Sequence, residues 1–162
     1  PEQRVHMIQQ LAKSSGSLGM AGGQAIDLAS VNKQLNEAEI KTMHTLKTAA
    51  LIQASVLMAV VVSDINNPVT FAHFAHFTEK VGLAFQIRDD ILDIQADTVT
   101  LGKPQGSDAA QNKPTYPSIV GVEHAENTAN NLLQEALNEI DHLDDRAENL
   151  RAISKYMVTR NS

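Results

Sequence analysis

There is no cysteine in this chain and no tryptophan, and aromatic residues make up only 4% of its 162 positions. The missing cysteines exclude disulfides, thiol nucleophiles and cysteine-ligated zinc, and they fit a reducing, cytoplasmic setting. Positive charge is also short. Thirteen Lys and Arg face 19 Asp and Glu, the formal net charge is -6, and no basic stripe occurs. Nucleic-acid binding is disfavoured on that ground, because phosphate backbones are held by clustered Lys and Arg. A small anionic ligand stays open, provided metal ions or a few placed cations stand between it and the protein. A long apolar run is missing too. The longest, 49–62, is broken by Gln53 and Ser55. It falls short of the ~20 residues of a bilayer-spanning helix, so no transmembrane segment is expected. No signal peptide, internal repeat or strand-period segment is visible. The expected fold is all-α, an antiparallel helical bundle forming one domain over 1–162.

What is present is helical periodicity. Val5, Ile8, Leu11 and Ala12 predict an amphipathic helix from Pro1 to about Ala12. Gly16, Gly19, Gly22 and Gly23 then interrupt any strong helix. Two readings of this glycine-rich stretch stand side by side: close backbone packing, or a pocket lined by Gln24 and Asp27. Asn36 with Glu39 reads as a capping box opening a helix that runs to about Ser63. A turn at Asn66-Asn67-Pro68 starts another, running to about Ala96. A long loop, 98–117, follows, then a short helix from Pro117 and an amphipathic stripe from Ala125 to Ile140. A last helix is capped by Asp144 or Asp145, with Leu150, Ile153 and Met157 on one face.

The chemistry-bearing stretch is GLAFQIRDDILD, Gly82 to Asp93. On a helix, Asp89 and Asp93 share a face, with Gln86 three residues before Asp89. Like charges at that spacing repel, so solvent or a divalent cation must offset the cost. A hard ion such as Mg2+, completed by substrate phosphates, suits carboxylate oxygens. A solvated acidic face is the competing reading. Lys47, on a helix that turns apolar one turn later, must snorkel, pair or bind a ligand. His73 and His76, three apart in FAHFAHF, lack a third metal ligand at matching spacing, and the phenylalanines around them read as core. The loop carries Lys103, Lys113 and Asp108, which could close over whatever the carboxylates bind. Arg160, near the C-terminus, reads as a solvated end, with a late ligand contact as the alternative.

Four blocks in order resemble the trans-isoprenyl diphosphate synthase (polyprenyl synthetase) family, in its bacterial farnesyl diphosphate synthase branch. They are GMAGGQAID (Gly19 to Asp27), HTLKT (His44 to Thr48), GLAFQIRDDILD (Gly82 to Asp93) and LGKPQGSDAAQNKPTYP (Leu101 to Pro117). The resemblance implies a prenyl transferase joining an allylic diphosphate to isopentenyl diphosphate with loss of pyrophosphate. It implies Mg2+ on Asp89, with Asp90, Asp93 and Asp108 assisting. It implies Lys47, Lys103 and Lys113 around the diphosphate, and Thr48 and Gln86 facing the allylic carbon. Phe85 would flank isopentenyl diphosphate, and Gln24 and Asp27 would line the pocket.

The resemblance covers only the family's C-terminal half. The earlier aspartate-rich motif and the basic isopentenyl diphosphate motif are not in this sequence, which begins at Pro1 without Met. The chain is therefore expected to be a half that is inactive alone, with its product length unreadable, and to form a homodimer as the family does. Two rivals remain: a non-catalytic or regulatory subunit of a heteromeric prenyl synthase, and an all-α terpene synthase.

Overall fold

The computed structural model describes residues 1–63, 67–99 and 113–161, with side chains as far as Gln95 in the second stretch. Every element described is helical. In order they are α1 (Glu2–Ser15), α2 (Met20–Ala29), α3 (Glu37–His44), α4 (Ala50–Val62), α5 (Pro68–Val99), α6 (Tyr116–Val120), α7 (Val122–Glu139) and α8 (Glu148–Thr159). A π-helical turn, Thr45–Ala49, joins α3 to α4 without a break, and a short 3-10 turn, Asp145–Ala147, leads into α8.

The local signals explain most of these bounds. Asn36 caps α3 as expected: its side chain accepts from the Glu39 N–H at 3.0 Å, and its own N–H donates to Glu39 Oε2 at 2.8 Å. Pro68 opens α5, where a missing N–H costs nothing. Pro117 falls one residue inside α6, which starts at Tyr116. Asp144 accepts from the Arg146 N–H at 3.0 Å and starts the turn into α8. Taken whole, Glu37–Val62 is 26 residues long and apolar enough by length and composition to cross a bilayer. A core helix of a soluble protein passes the same test of length and composition, so this is weak evidence for a membrane span. In this fold its inner face is packed, Ile40 and Met43 in one core cluster and Leu57 and Val60 in another.

The helix α5 is the axis of the bundle. Ala84, Ile87 and Ile91 pack with Tyr116, Ala125, Ala129 and Leu133. Phe74, Phe77 and Val81, from the other end of α5, pack with Ala136 and Ile140. The phenylalanines of FAHFAHF thus enter the core. Three expectations change. The glycine-rich stretch does form a helix, since Gly22 and Gly23 lie inside α2. Val5, Ile8 and Leu11 of α1 are exposed rather than buried. On α8 the buried residues are Ser154 and Val158, while Ile153 is exposed.

Close packing accounts for the glycine helix. A Cβ built on Gly23 would lie 2.2 Å from the Lys47 backbone nitrogen. One built on Gly82 of α5 would lie 2.7 Å from Ala49 Cα. The π-helical turn therefore sits between two glycines, touched on both sides by helix backbone. Alanine at Gly23 would gain about 1 kcal/mol of helix propensity, but the clash is with backbone and cannot be relieved by a rotamer change. Overpacking of that kind costs about 1–3 kcal/mol or more. Gly23→Ala and Gly82→Ala should each lower stability by roughly 1–2 kcal/mol net, read as a lower urea midpoint at unchanged m-value; a rise in midpoint would refute the packing account.

Candidate functional site

The π-helical turn brings Lys47 and Thr48 to the junction of α2 and α5. A π turn adds a residue to the helix and shifts the side chains around it, a feature that recurs at functional sites. On the α2 side, Asp27 is buried, and its Oδ2 accepts from Lys47 Nζ at 3.0 Å and from Lys113 Nζ at 3.0 Å. Burial by itself would push the Asp27 pKa up. Hydrogen bonds from the two lysines, with their charges, outweigh it and hold the pKa below the ordinary 3.8. Two ammonium groups from residues far apart in the chain thus converge on one carboxylate oxygen. Gln24, one turn earlier on α2, is exposed.

On the α5 side, Thr48 Oγ1 donates to Gln86 Oε1 at 2.7 Å, and Gln86 Nε2 reaches Asp90 Oδ1 at 3.2 Å. Asp90 Oδ2 accepts from the Tyr116 N–H at 2.7 Å and lies 3.0 Å from His44 Nε2. Tyr116 in turn donates its hydroxyl to Glu37 Oε1 at 2.8 Å. Asp90 is only 5% exposed. Its expected place among the metal ligands does not fit this geometry, because both oxygens are engaged by protein groups inside the bundle. It ties α5 to α3 and α6 instead. Buried and fully paired, such a carboxylate is costly to disturb.

Asp89 sits one position round the helix from Asp90 and its side chain is 52% exposed. Arg160 Nη2 meets Asp89 Oδ1 at 2.6 Å, and the Arg160 guanidinium lies 5.1 Å from the Phe85 ring centre. The expectation of a solvated chain end at Arg160 is corrected: its side chain is 25% exposed and packed on α5. Asp93, one turn on from Asp89, is partly buried. Among the described residues no group of three or more acidic or histidine side chains is arranged to hold a metal ion. Asp89 and Asp93 lie four residues apart on α5, one carboxylate half exposed and the other partly buried.

The structure thus brings together Asp27, Lys47, Lys113, Thr48, Gln86 and Asp90, and places Phe85 and Asp89 beside them on α5. Lys103 and Asp108 lie outside the described residues. His73 and His76 stand apart from this site: both face Glu139, at 3.0 and 4.0 Å, and Lys80 joins them at 2.7 Å. The sequence reading missed His44, Tyr116, Arg88 and Arg160 as site neighbours. His44 falls in the HTLKT block and Tyr116 in the LGKPQGSDAAQNKPTYP block, so both could have been found; Arg160 depends on tertiary contacts with no local signal.

Residues 2–156 match the polyprenyl synthetase family. The chain is 37% identical over 161 residues to farnesyl diphosphate synthase of Escherichia coli, covering 98% of this chain and 54% of that enzyme. It is 39% identical over 159 residues to geranylgeranyl diphosphate synthase of Cyanophora paradoxa, covering 98% and 53%. A solved structure of a Helicobacter pylori geranyltransferase, complexed with magnesium and isoprenyl diphosphate, superposes with a TM-score of 0.78 at 34% identity, covering 97% of this chain and 51% of that one. The chain spans about half the length of each of these relatives. With an all-helical fold, a lysine pair held at a π turn and an aspartate face on the axial helix, this chain belongs to the polyprenyl synthetase family.

Proposed function

We propose that this chain supplies half of the active site of a Mg2+-dependent prenyl transferase of isoprenoid biosynthesis. The reaction joins a dimethylallyl or geranyl diphosphate to isopentenyl diphosphate, releasing pyrophosphate. The observation that carries the reading is the convergence of Lys47 and Lys113 on Asp27.

The chemistry asks for such a group. Breaking the allylic C–O bond leaves its electron pair on pyrophosphate and a cation on carbon. Lys47 and Lys113 would donate to the departing oxygens, Lys103 completing the set from the loop, and Asp27 holds the first two in place before substrate arrives. Preorganised donors of this kind stabilise developing charge without reorganisation at the moment of reaction. Mg2+, when bound, would supply Lewis-acid stabilisation of the same leaving group. Asp89 and Asp93 fit it by donor type and exposure, with Asp108 as a further candidate from the loop. Thr48 and Gln86 are fixed by their mutual hydrogen bond, and turn their oxygen dipoles toward the allylic carbon in this reading. Phe85 would flank isopentenyl diphosphate, and Gln24 the outer wall. The final proton is lost to pyrophosphate, so no dedicated histidine base is needed.

A second carboxylate set from an N-terminal half, a homodimeric assembly and a cytoplasmic location belong to the same proposal. The exposed Val5, Ile8, Leu11, Leu18 and Leu28 supply apolar surface for such contacts.

The deciding experiment combines this chain with geranyl diphosphate, labelled isopentenyl diphosphate and Mg2+, with and without a separately expressed N-terminal half of a relative. Product only in the combined sample is expected; none in either sample, with helicity intact, would favour a non-catalytic subunit. Lys47→Ala should weaken binding of Mg2+-pyrophosphate roughly ten- to hundredfold, since a charge-assisted hydrogen bond contributes about 1.5–3 kcal/mol. Calorimetric titration reads that loss. The lowered pKa of Asp27 also gives a stability signature. A depressed folded pKa contributes stability above the ordinary value of 3.8 and loses it as pH falls through the lower folded value. Urea midpoints measured downward from pH 5 should fall less steeply for Asp27→Asn than for the wild type, and identical slopes would contradict the lysine–carboxylate lock.

A further inference from the structure

We propose that Arg160 is an internal counter-cation, which occupies the Asp89 carboxylate in the metal-free protein and must leave it for a divalent cation to bind. The inference rests on the reading of Asp89 as a metal ligand.

The contact is built, not incidental. The two residues that follow α8 are gripped from α5. Arg88 Nε donates to the Arg160 carbonyl at 2.9 Å, and Arg88 Nη2 donates to Asn161 Oδ1 at 3.1 Å. Phe85, Arg88 and Asp89 are spaced so that one face of α5 presents all three. Phe85 carries the guanidinium on its ring, Arg88 pins the backbone behind it, and Asp89 takes the charge. A surface ion pair is weak mainly because two long side chains must be ordered to make it. The strap removes much of that cost, since its backbone is already held and a planar guanidinium stacks well on an aromatic face.

The same geometry leaves the contact displaceable. Arg160 reaches Asp89 through a single nitrogen, and its Nε is buried with no partner among the described residues. That donor remains unsatisfied while the pair is made. A divalent ion on Asp89 Oδ1 would stand within a few ångströms of the guanidinium, and two cations at that distance repel. The two therefore compete for one carboxylate. Release of the strap would also uncover Phe85 next to the site.

Competition has a measurable sign. Mn2+, as a spectroscopic stand-in for Mg2+, is titrated into the chain without substrate and followed by electron paramagnetic resonance. Arg160→Gln should bind Mn2+ about two- to fivefold more tightly than the wild type, the range expected for losing a surface ion pair. Arg88→Gln, which frees the strap but keeps the charge, should shift binding in the same direction. Arg146→Gln removes a cation paired with Asp144 elsewhere and should change it less. Asp89→Asn should weaken it. In the wild type, the nitrogen-15 signal of the Arg160 side chain should move on addition of Mg2+, and stay still in Asp89→Asn; this holds even where a variant folds poorly. Equal or weaker binding by Arg160→Gln, with Asp89→Asn impaired, overturns the strap and leaves the metal reading standing. Binding untouched by Asp89→Asn overturns both.

Discussion

Five residues wound as a π turn between two glycines fix the polar architecture of this half-site. Gly23 and Gly82 let α2 and α5 approach the backbone of Thr45–Ala49 to distances no Cβ would allow. That approach delivers Lys47 to Asp27 on one side and Thr48 to Gln86 on the other. A regular α-helix through the same stretch would present these neighbouring residues 100° apart with a different register to everything that follows. The glycines are therefore conditions for the site rather than breaks in the helix, and the cost of ordering them is offset by the contacts they permit.

The charges around the turn are arranged as pairs that a ligand could rearrange. Lys47 and Lys113 share one oxygen of Asp27, so two ammonium groups meet on a single buried carboxylate. Asp89 is balanced by Arg160. Each carries its counter-ion from a different element: a carboxylate from α2, a guanidinium from the end of α8. Anionic phosphate would gain from the first group, and a hard cation from the second. An acidic protein with few basic residues can in this way present both signs of charge within one site, where net charge alone would point away from a phosphorylated ligand.

Much of this was legible in the sequence, for physical reasons that differ by element. Helix starts were readable because caps are local: Asn36–Glu39 and Pro68 act through neighbours within four residues. The family motifs were readable because they pack several chemical groups into short blocks. The π turn was not readable, since periodicity over 36–63 is nearly the same for a helix with one extra residue. The apolar stripe of α1 predicted burial, yet Val5, Ile8 and Leu11 lie exposed. Periodicity reports that a face wants a partner, not where the partner is. Arg160 was misread because a terminal arginine carries no local sign that Arg88 and Phe85, more than seventy residues earlier, will hold it.

The neighbours Asp89 and Asp90 show how one motif divides its work. Successive helical residues point about 100° apart, so a pair of carboxylates cannot face one partner from adjacent positions. Asp90 turns inward to His44, Gln86 and the Tyr116 backbone, where both its oxygens are spoken for. Asp89 turns outward, half exposed, toward the Arg160 guanidinium. The inner carboxylate fixes the rotation of α5 about its own axis by tying it to α3 and α6. That rotation decides where the outer one points. A rotation of even a fraction of a turn would re-aim the whole face that carries Asp89 and Asp93. The buried aspartate thus sets the aim of the exposed one, and the two neighbouring carboxylates do different work.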